Sequence, residues 1–267
     1  MVKSKGHVIC SVVVIVIIIS AGMSHGQDSK FGYRIGEEFT YKVKYSFLRL
    51  GTLRLVVNDS VKINGHNVYH TQLFIDSNPL LFFVNMHNVY NSYIDDEFRL
   101  QLFKAEERID DILYTTEYRF SYEDSMIYAT LTNIKDPNQI IRKEITMDEL
   151  LLDGSSLIFY ARANVHSVKA ESLATFFEAK KGRVFINFKG KQGQQAIDAI
   201  GKGIDTYYVD GMMNSVGIAG LNGPFKGWFA VDSQRPPIRA KLKVFIGHVT
   251  VELEEWKNWD YSKNLQK

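Results

Sequence analysis

Hydrophobic and polar residues alternate one by one over many short segments of this chain. From Glu38 the sequence reads EFTYKVKYSF, in which every second residue from Phe39 to Phe47 is apolar and the residues between them are polar. An alternation with a period of two and aromatic side chains on one face predicts a half-buried β-strand.

The same pattern recurs along most of the chain, and turn signals separate the repeats. Asn64 to His66 reads NGH, which predicts a hairpin before VYHTQLFID. Further alternating segments read YTTEYRFSYED, MIYATLTNI, IIRKEIT, RVFINFKG, IDTYYVDGM, IRAKLKVFI and HVTVELEEW. More than ten short strands of this kind predict a large antiparallel sheet that is curved, or an open β-barrel.

Two segments depart from the alternation. The better helix is DELLLDGSSLIFYARAN, which Asp153 or Ser155 can cap and whose residues recur in steps of three and four, at Leu157, Tyr160, Ala161 and Asn164. The other, NPLLFFVNMHN, can form a short helix or a buried strand. The predicted fold is therefore mainly β, with one or two short helices packed on the concave side of the sheet.

The first 26 residues have the pattern of a secretory signal. Two lysines precede an apolar run from Val8 to Ile19, and small residues follow it. The run is shorter than the roughly 20 residues of a transmembrane helix. We expect cleavage before Gln27 and a single β-rich domain over residues 27–267; an uncleaved N-terminal anchor is the alternative.

Removal of the signal changes the charge and the cysteine content. The chain has 32 basic and 30 acidic residues, and the signal contains Lys3 and Lys5, so 30 of each remain. A neutral chain gives no reason to expect nucleic acid as a partner. The only cysteine, Cys10, leaves with the signal, so no disulfide and no thiolate metal site are expected.

Four stretches in order resemble domain-of-unknown-function family 3108, exported bacterial envelope proteins, in the form common in Bacteroidetes. They are GEEFTYKVKYSFLRLGTLRL from Gly36, VYNSYIDDEFRLQLF from Val89, DGSSLIFYARA from Asp153 and DSQRPPIRAKLKVFIGHVTVEL from Asp232. The resemblance implies an exported β-rich domain without established activity or catalytic residues. The architecture also resembles the half-barrel over a helix of periplasmic lipoprotein carriers, which is an analogy of fold alone. The Gly-rich DGMMNSVGIAGLNGPFKG departs from the usual form of the family.

The motifs of enzymes and metal sites are not evident. DGSSL around Ser155 lacks the GxSxG elbow, and neighbouring carboxylates such as Asp95 and Asp96 point to opposite faces of a strand. The five remaining histidines form no metal motif: His66, His70, His87, His166 and His248. We therefore predict no catalytic residues, no metal and no cofactor.

Two apolar segments are the candidates for a hydrophobic ligand site. The first contains Leu81, Phe82 and Phe83, and the second is a Gly-rich, Met-rich segment with Met212, Met213, Ile218 and Leu221. A mobile apolar flap of this composition can close over a lipid or an acyl chain between sheet and helix. The alternative is that both segments only complete the core.

Two further segments are candidates for a polar rim of a ligand site and for a protein-docking surface. In VDSQRPP, Asp232 and Arg235 can form a polar rim for a ligand head group, or the segment can be only a corner of the sheet, which is the preferred interpretation. Trp256, Trp259 and Tyr261 can anchor a partner protein.

Three functions follow from these observations, in order of preference. The first is a non-enzymatic envelope protein that binds a lipid, an acyl chain or an acylated protein. The second is an assembly or scaffold protein that acts on other envelope proteins through edge strands or the aromatic tail. The third is an enzyme acting on polysaccharide. We expect the protein in the periplasm or on the periplasmic face of the outer membrane, without an integral span after cleavage.

Overall fold

The computed structural model describes residues 31–81, 85–109, 112–133, 136–214, 222–244 and 247–261, so the predicted signal lies outside it. These residues form fifteen strands and one α-helix. The strands are β1 (Glu38–Tyr45), β2 (Leu48–Ile63), β3 (His66–Ser77), β4 (Met86–Ile94), β5 (Leu100–Ile109), β6 (Ile112–Ser121), β7 (Met126–Asn133), β8 (Asp136–Thr146), β9 (Leu151–Leu152), β10 (Val168–Phe177), β11 (Lys180–Ala196), β12 (Gly203–Met213), β13 (Gly223–Ala230), β14 (Pro237–Lys243) and β15 (His248–Lys257). The helix α1 (Gly154–Asn164) lies between β9 and β10.

All fifteen strands belong to one sheet. The spatial order of the strands is β8-β7-β6-β5-β4-β3-β2-β1-β15-β14-β13-β12-β11-β10-β9. The pairing of β1 with β15 joins the first and the last of these strands near the middle of the sheet, and among the described strands only β9 and β10 pair in parallel. No pairing joins β8 to β9 within the described residues, so the sheet is open there. The predicted large antiparallel sheet is confirmed.

The local turn chemistry explains where the strands end. Asn64 and Gly65, with φ of 49° and 81°, form the two-residue hairpin predicted between β2 and β3. Ser46, at φ 54°, turns the chain after Tyr45. Phe47 was predicted to share the buried face of β1, and this is wrong: the turn leaves it 94% exposed.

The helix begins at the first of the two caps that the sequence allows, Asp153 or Ser155. Asp153 is the N-cap, and its carboxylate accepts hydrogen bonds from the backbone N–H and the hydroxyl of Ser156, each at 2.7 Å. The Ser156 hydroxyl in turn accepts from the backbone N–H of Asp153 at 2.8 Å, which completes a capping box. α1 is the single α-helix of the described part of the chain. The other segment considered for a helix, NPLLFFVNMHN, contains the start of a strand instead, because β4 begins at Met86.

The helix lies inside the curved sheet and contacts both halves of it. Phe159 is fully buried in the larger core cluster, which includes Phe39 of β1 and Phe176 of β10. Ala161 and Val165 belong to a second cluster with four residues of the C-terminal half of the sheet, namely Ile186, Phe188, Val209 and Phe229. Because a buried side chain of this size contributes roughly 1.5 to 3 kcal/mol, the two clusters hold α1 firmly on the concave side.

Candidate ligand-binding cavity

A cavity of about 290 Å³ lies between α1 and the inner face of the sheet. We call it the apolar cavity. From the helix, Gly154, Leu157, Ile158 and Ala161 line it. The sheet contributes residues of β1 to β3 and of β10 to β15. These include Tyr41, Val43, Leu53, Leu55, Leu73, Ile75, Phe177, Ile186, Val209, Met213, Phe225, Phe229, Ala240, Leu242, Val249 and Val251.

Strand alternation explains why this wall is apolar. Tyr41 pairs with Leu253 and Val43 with Val251, so the inward-facing residues of β1 and β15 form one continuous apolar surface. Several wall residues, including Leu157, Phe225 and Leu242, are only half-buried. The cavity is therefore accessible to solvent along part of its length.

Lys226 and Arg239 are the charged residues that line the apolar cavity. Lys226 is exposed, while Arg239 pairs with the buried Glu252, which also contacts Lys42 at 3.0 Å. Burial alone raises the pKa of Glu252, but the hydrogen bonds from Arg239 and Lys42 outweigh it and hold that pKa below its usual range. The guanidinium of Arg239 is thus committed to an ion pair.

A buried ion pair anchors the C-terminal end of α1. Arg162 is 1% exposed, and its two terminal nitrogens each donate to the carboxylate of Glu37 at 2.7 Å. The same guanidinium donates to the backbone carbonyl of Gln234 at 2.8 and 3.1 Å and lies 5.1 to 5.4 Å from the ring centres of Phe31, Phe39 and Phe159. It joins three segments that are far apart in sequence.

The segment VDSQRPP forms a corner of the sheet, and its Gln234 carbonyl accepts the hydrogen bonds of Arg162. The Asp232 carboxylate accepts from the backbone N–H groups of Gln234 and Arg235 at 2.8 and 2.6 Å, and from the indole of Trp259 at 2.7 Å. Arg235 is 3% exposed and donates to the carbonyl of Ala163 at 3.2 Å. Neither Asp232 nor Arg235 lines the apolar cavity, because both are used at the end of the helix.

The N-terminal end of α1 borders a second, smaller cavity of about 130 Å³. We call it the acidic pocket. Its wall shares Leu73, Gly154 and Phe177 with the apolar cavity. The other residues that line it are Tyr90, Phe103, Ala105, Glu107, Thr116, Tyr118, Leu131, Asp153, Ser155, Phe176 and Glu178.

The predicted apolar ligand residues are separated by the structure. Met213 lines the apolar cavity, whereas its neighbour Met212 is 39% exposed because consecutive residues of β12 face opposite sides. Leu81 is 9% exposed and lines a different surface cavity near Asn78. Phe82, Phe83, Ile218 and Leu221 lie outside the described residues.

The aromatic tail packs on the core of its own chain. Trp256, Trp259 and Tyr261 contact one another with ring centres 5.2 to 6.0 Å apart, and Trp259 also meets the ring of Phe39 at 6.3 Å. Trp259 is 5% exposed. The indole N–H of Trp259 donates to the Asp232 carboxylate, which ties the tail to that corner of the sheet.

Histidines and carboxylates do not gather into a metal site in the described ranges: no group of three such side chains could hold an ion there. His70 contacts Asn91 at 2.9 Å and stacks on Tyr93, and His87 contacts Asp76. Among the same residues, no helix has the length and apolar content needed to cross a membrane.

Sequence reasoning missed the wall of the cavity and its anchors. The sequence predicts the apolar faces of half-buried strands, and nothing local distinguishes a residue that fills a core from one that borders a cavity. Arg162 carried a usable signal, since it is the one charged residue in LIFYARA, an otherwise apolar segment of the predicted helix. Its partner Glu37 lies 125 residues away and cannot be found from spacing.

Comparisons with known proteins agree with this architecture. No curated protein matches the chain. A beta-barrel-like protein of domain of unknown function DUF1849 from Brucella abortus has a similar fold, with a TM-score of 0.50 and 11% identity over 85% of this chain and 98% of that one. A protein with a YmcC-like fold from Bacteroides fragilis covers the same shares at 7% identity, but its TM-score of 0.32 is too low to carry an argument. The model of DUF3108, a family described as protein of unknown function, matches residues 40–254, and this chain therefore belongs to that family.

Proposed function

We propose that this protein is exported and, without being an enzyme, binds the apolar chain of a lipid or of an acylated protein in the apolar cavity. The observation that carries the proposal is the cavity itself: about 290 Å³ of space beside the helix whose wall is almost wholly apolar. Because the cavity is open to solvent along part of its length, its apolar wall is exposed hydrophobic surface, which is typical of a ligand-binding groove.

The dimensions and the chemistry of the cavity favour an alkyl chain. Ligand pockets start at roughly 300 Å³, and each buried methylene contributes about 0.8 kcal/mol to binding. The half-buried positions of Leu157 and Leu242 provide an entrance for such a chain. The pattern of the first 26 residues supports a location in the periplasm or on the periplasmic face of the outer membrane.

The test is native mass spectrometry of the mature chain, residues 27–267, isolated from the envelope of its own cells. We expect a stoichiometric lipid mass that solvent extraction removes. Ala240→Phe places a ring in the apolar cavity and should abolish that mass, because Ala240 lines it. Lys241→Phe adds the same ring at the exposed neighbouring position and should retain it. A bare wild-type mass, together with no uptake of added decanol, would refute the proposal.

A second candidate function is protein docking at the edge strand β8. This strand pairs with β7, has no partner on its other side within the described residues, and exposes Ile140 and Ile141 by 42% and 53%. Unpaired edges can accept a strand from another protein. Replacing both isoleucines by lysine should remove a co-purifying envelope protein if this candidate is right; an unchanged set of partners counts against it.

A further inference from the structure

The acidic pocket combines aromatic rings with carboxylates. Tyr90 and Phe103 stack with ring centres 6.2 Å apart, and Phe103 and Tyr118 stack at 5.2 Å with an interplanar angle of 13°. Phe176 closes the row edge-on to Tyr118 at 5.0 Å. Because ring faces carry negative electrostatic potential, such a row attracts a cation when that cation reaches a ring face.

Carboxylates add to this negative potential. Glu107 accepts a hydrogen bond from the Tyr90 hydroxyl at 2.8 Å, and Glu178 and Asp153 also line the pocket. Asp153 is committed to the helix cap, which leaves Glu107 and Glu178 for a ligand. Neither lysine, arginine nor histidine is among the residues that line the pocket in the described part of the chain. Burial, with smaller contributions from Glu107 and Glu178, raises the pKa of Tyr118 to about 12.

An unsatisfied acceptor lies beside the same wall. The amide nitrogen of Asn88 donates to the Tyr90 hydroxyl at 3.0 Å, while the amide oxygen of this 3% exposed residue has no hydrogen-bond partner among the described residues. A buried polar atom without a partner is unfavourable. Asn88 is not among the described residues that line the acidic pocket, and it acts on the site by holding the Tyr90 hydroxyl.

The turn that carries Glu178 is strained. Glu178 and Ala179 form the two-residue loop between β10 and β11, with φ of 51° and 55°. Such turns favour Asn-Gly, because other side chains are strained at positive φ. In this chain a glutamate occupies the first position of the turn and borders the acidic pocket.

We propose that the acidic pocket binds a primary ammonium group, which is the head group of the amphiphile whose chain occupies the apolar cavity. This inference rests on the proposed function, because the two cavities share Leu73, Gly154 and Phe177 as walls. The aromatic row and two carboxylates favour the positive charge, and the N–H groups of the ammonium can donate hydrogen bonds to Glu107 and Glu178. An anionic head group would meet carboxylates without a counter-charge.

Calorimetric titration with three amphiphiles of equal chain length tests the inference: decylamine, decanol and decanoate, each below its micelle concentration. We expect decylamine to bind about tenfold more tightly than decanol, because a hydrogen bond to a charged group contributes on this order. Decanoate should bind more weakly than decanol. Glu107→Gln keeps the shape of the side chain and should remove the preference for decylamine without weakening decanol.

Glu106→Gln is the matched control, since Glu106 is the exposed neighbour on the opposite face of β5. It should leave all three affinities unchanged. Equal affinities of the wild type for decylamine and decanol, or the same preference in Glu107→Gln, would overturn the ammonium site while leaving the apolar cavity intact. Absence of decanol binding by protein whose native mass carries no lipid would instead overturn the proposed function.

Discussion

Neighbouring residues of one strand have opposite roles in this molecule. Composition alone does not distinguish Met212 from Met213. In the structure, Met213 borders the apolar cavity and Met212 faces solvent. The same alternation separates Glu107, at the acidic pocket, from Glu106. Such pairs provide matched variants, because each member has the same chemistry and nearly the same backbone position.

Replacement of the two methionines tests the side of β12 that meets a ligand. Met213→Gln puts an amide into an apolar wall and should lower the affinity for decanol about tenfold, since an unpaired polar group disfavours an apolar contact by about 1 to 2 kcal/mol. Met212→Gln should leave that affinity unchanged. Equal effects of the two variants in calorimetry would contradict the position of the cavity.

The Arg162–Glu37 pair predicts strong coupling in stability. Arg162→Met leaves the Glu37 carboxylate buried without its partner and should lower the free energy of unfolding by about 3 to 5 kcal/mol. Adding Glu37→Leu removes the stranded charge and should recover part of the loss. Urea unfolding followed by tryptophan fluorescence measures both, and simple additivity of the single variants would show that the pair is not coupled.

At the scale of elements, contacts at both ends of the short helix α1 fix its position. Its N-terminal end is capped by Asp153, which also contacts Ser92 of β4, and its C-terminal end is held by Arg162. Burial raises the pKa of Asp153, although Ser92 and Ser156 donate hydrogen bonds that lower it. The helix start is therefore both a cap and a buried titratable group.

Substitution of the cap predicts a pH dependence of definite sign. Because the pKa of Asp153 is higher in the folded chain than in the unfolded one, the folded state holds the proton more tightly. Its contribution to stability is full below the unfolded pKa of about 3.9 and is lost as the pH rises through the folded pKa. Asp153→Asn does not titrate and should remove this dependence while keeping a cap. Asp153→Ala should be less stable by about 1 to 2 kcal/mol.

Denaturant unfolding between acid and neutral pH measures these differences. The stability of the wild type relative to Asp153→Asn should fall as the pH rises. A difference that stays constant with pH would mean that Asp153 keeps its ordinary pKa in the folded chain.

At the scale of the whole molecule, the pairing of β1 with β15 brings the two ends of the domain together. After β15, the ring of Trp259 meets Phe39 of β1, and its indole N–H donates to the carboxylate of Asp232. The residues predicted to dock a partner thus contribute to the core of their own chain. Loss of a partner after removal of the tail would not by itself identify a docking surface.

Truncation of the tail tryptophan tests this structural role. Trp259→Ala should lower the free energy of unfolding by about 3 to 5 kcal/mol, the usual range for a buried aromatic side chain. Phe47→Ala, which removes a ring that is 94% exposed, should change it by less than about 0.5 kcal/mol. Thermal unfolding distinguishes the two, and a tolerated Trp259→Ala would restore the tail as a candidate docking surface.

The sequence by itself determined the local structure of this protein. Period-two alternation predicted the strands, Asn64 and Gly65 predicted a hairpin, and Asp153 or Ser155 predicted the start of the helix, because each depends on residues a few positions apart. It also determined the family, since the ordered motifs extend over most of the chain. Only the tertiary structure decided the order of the strands, the ion pair between Glu37 and Arg162, and the division of the inner face into filled core, apolar cavity and acidic pocket. These depend on contacts between residues far apart in sequence, and a buried apolar side chain has the same pattern whether it fills a core or borders a cavity.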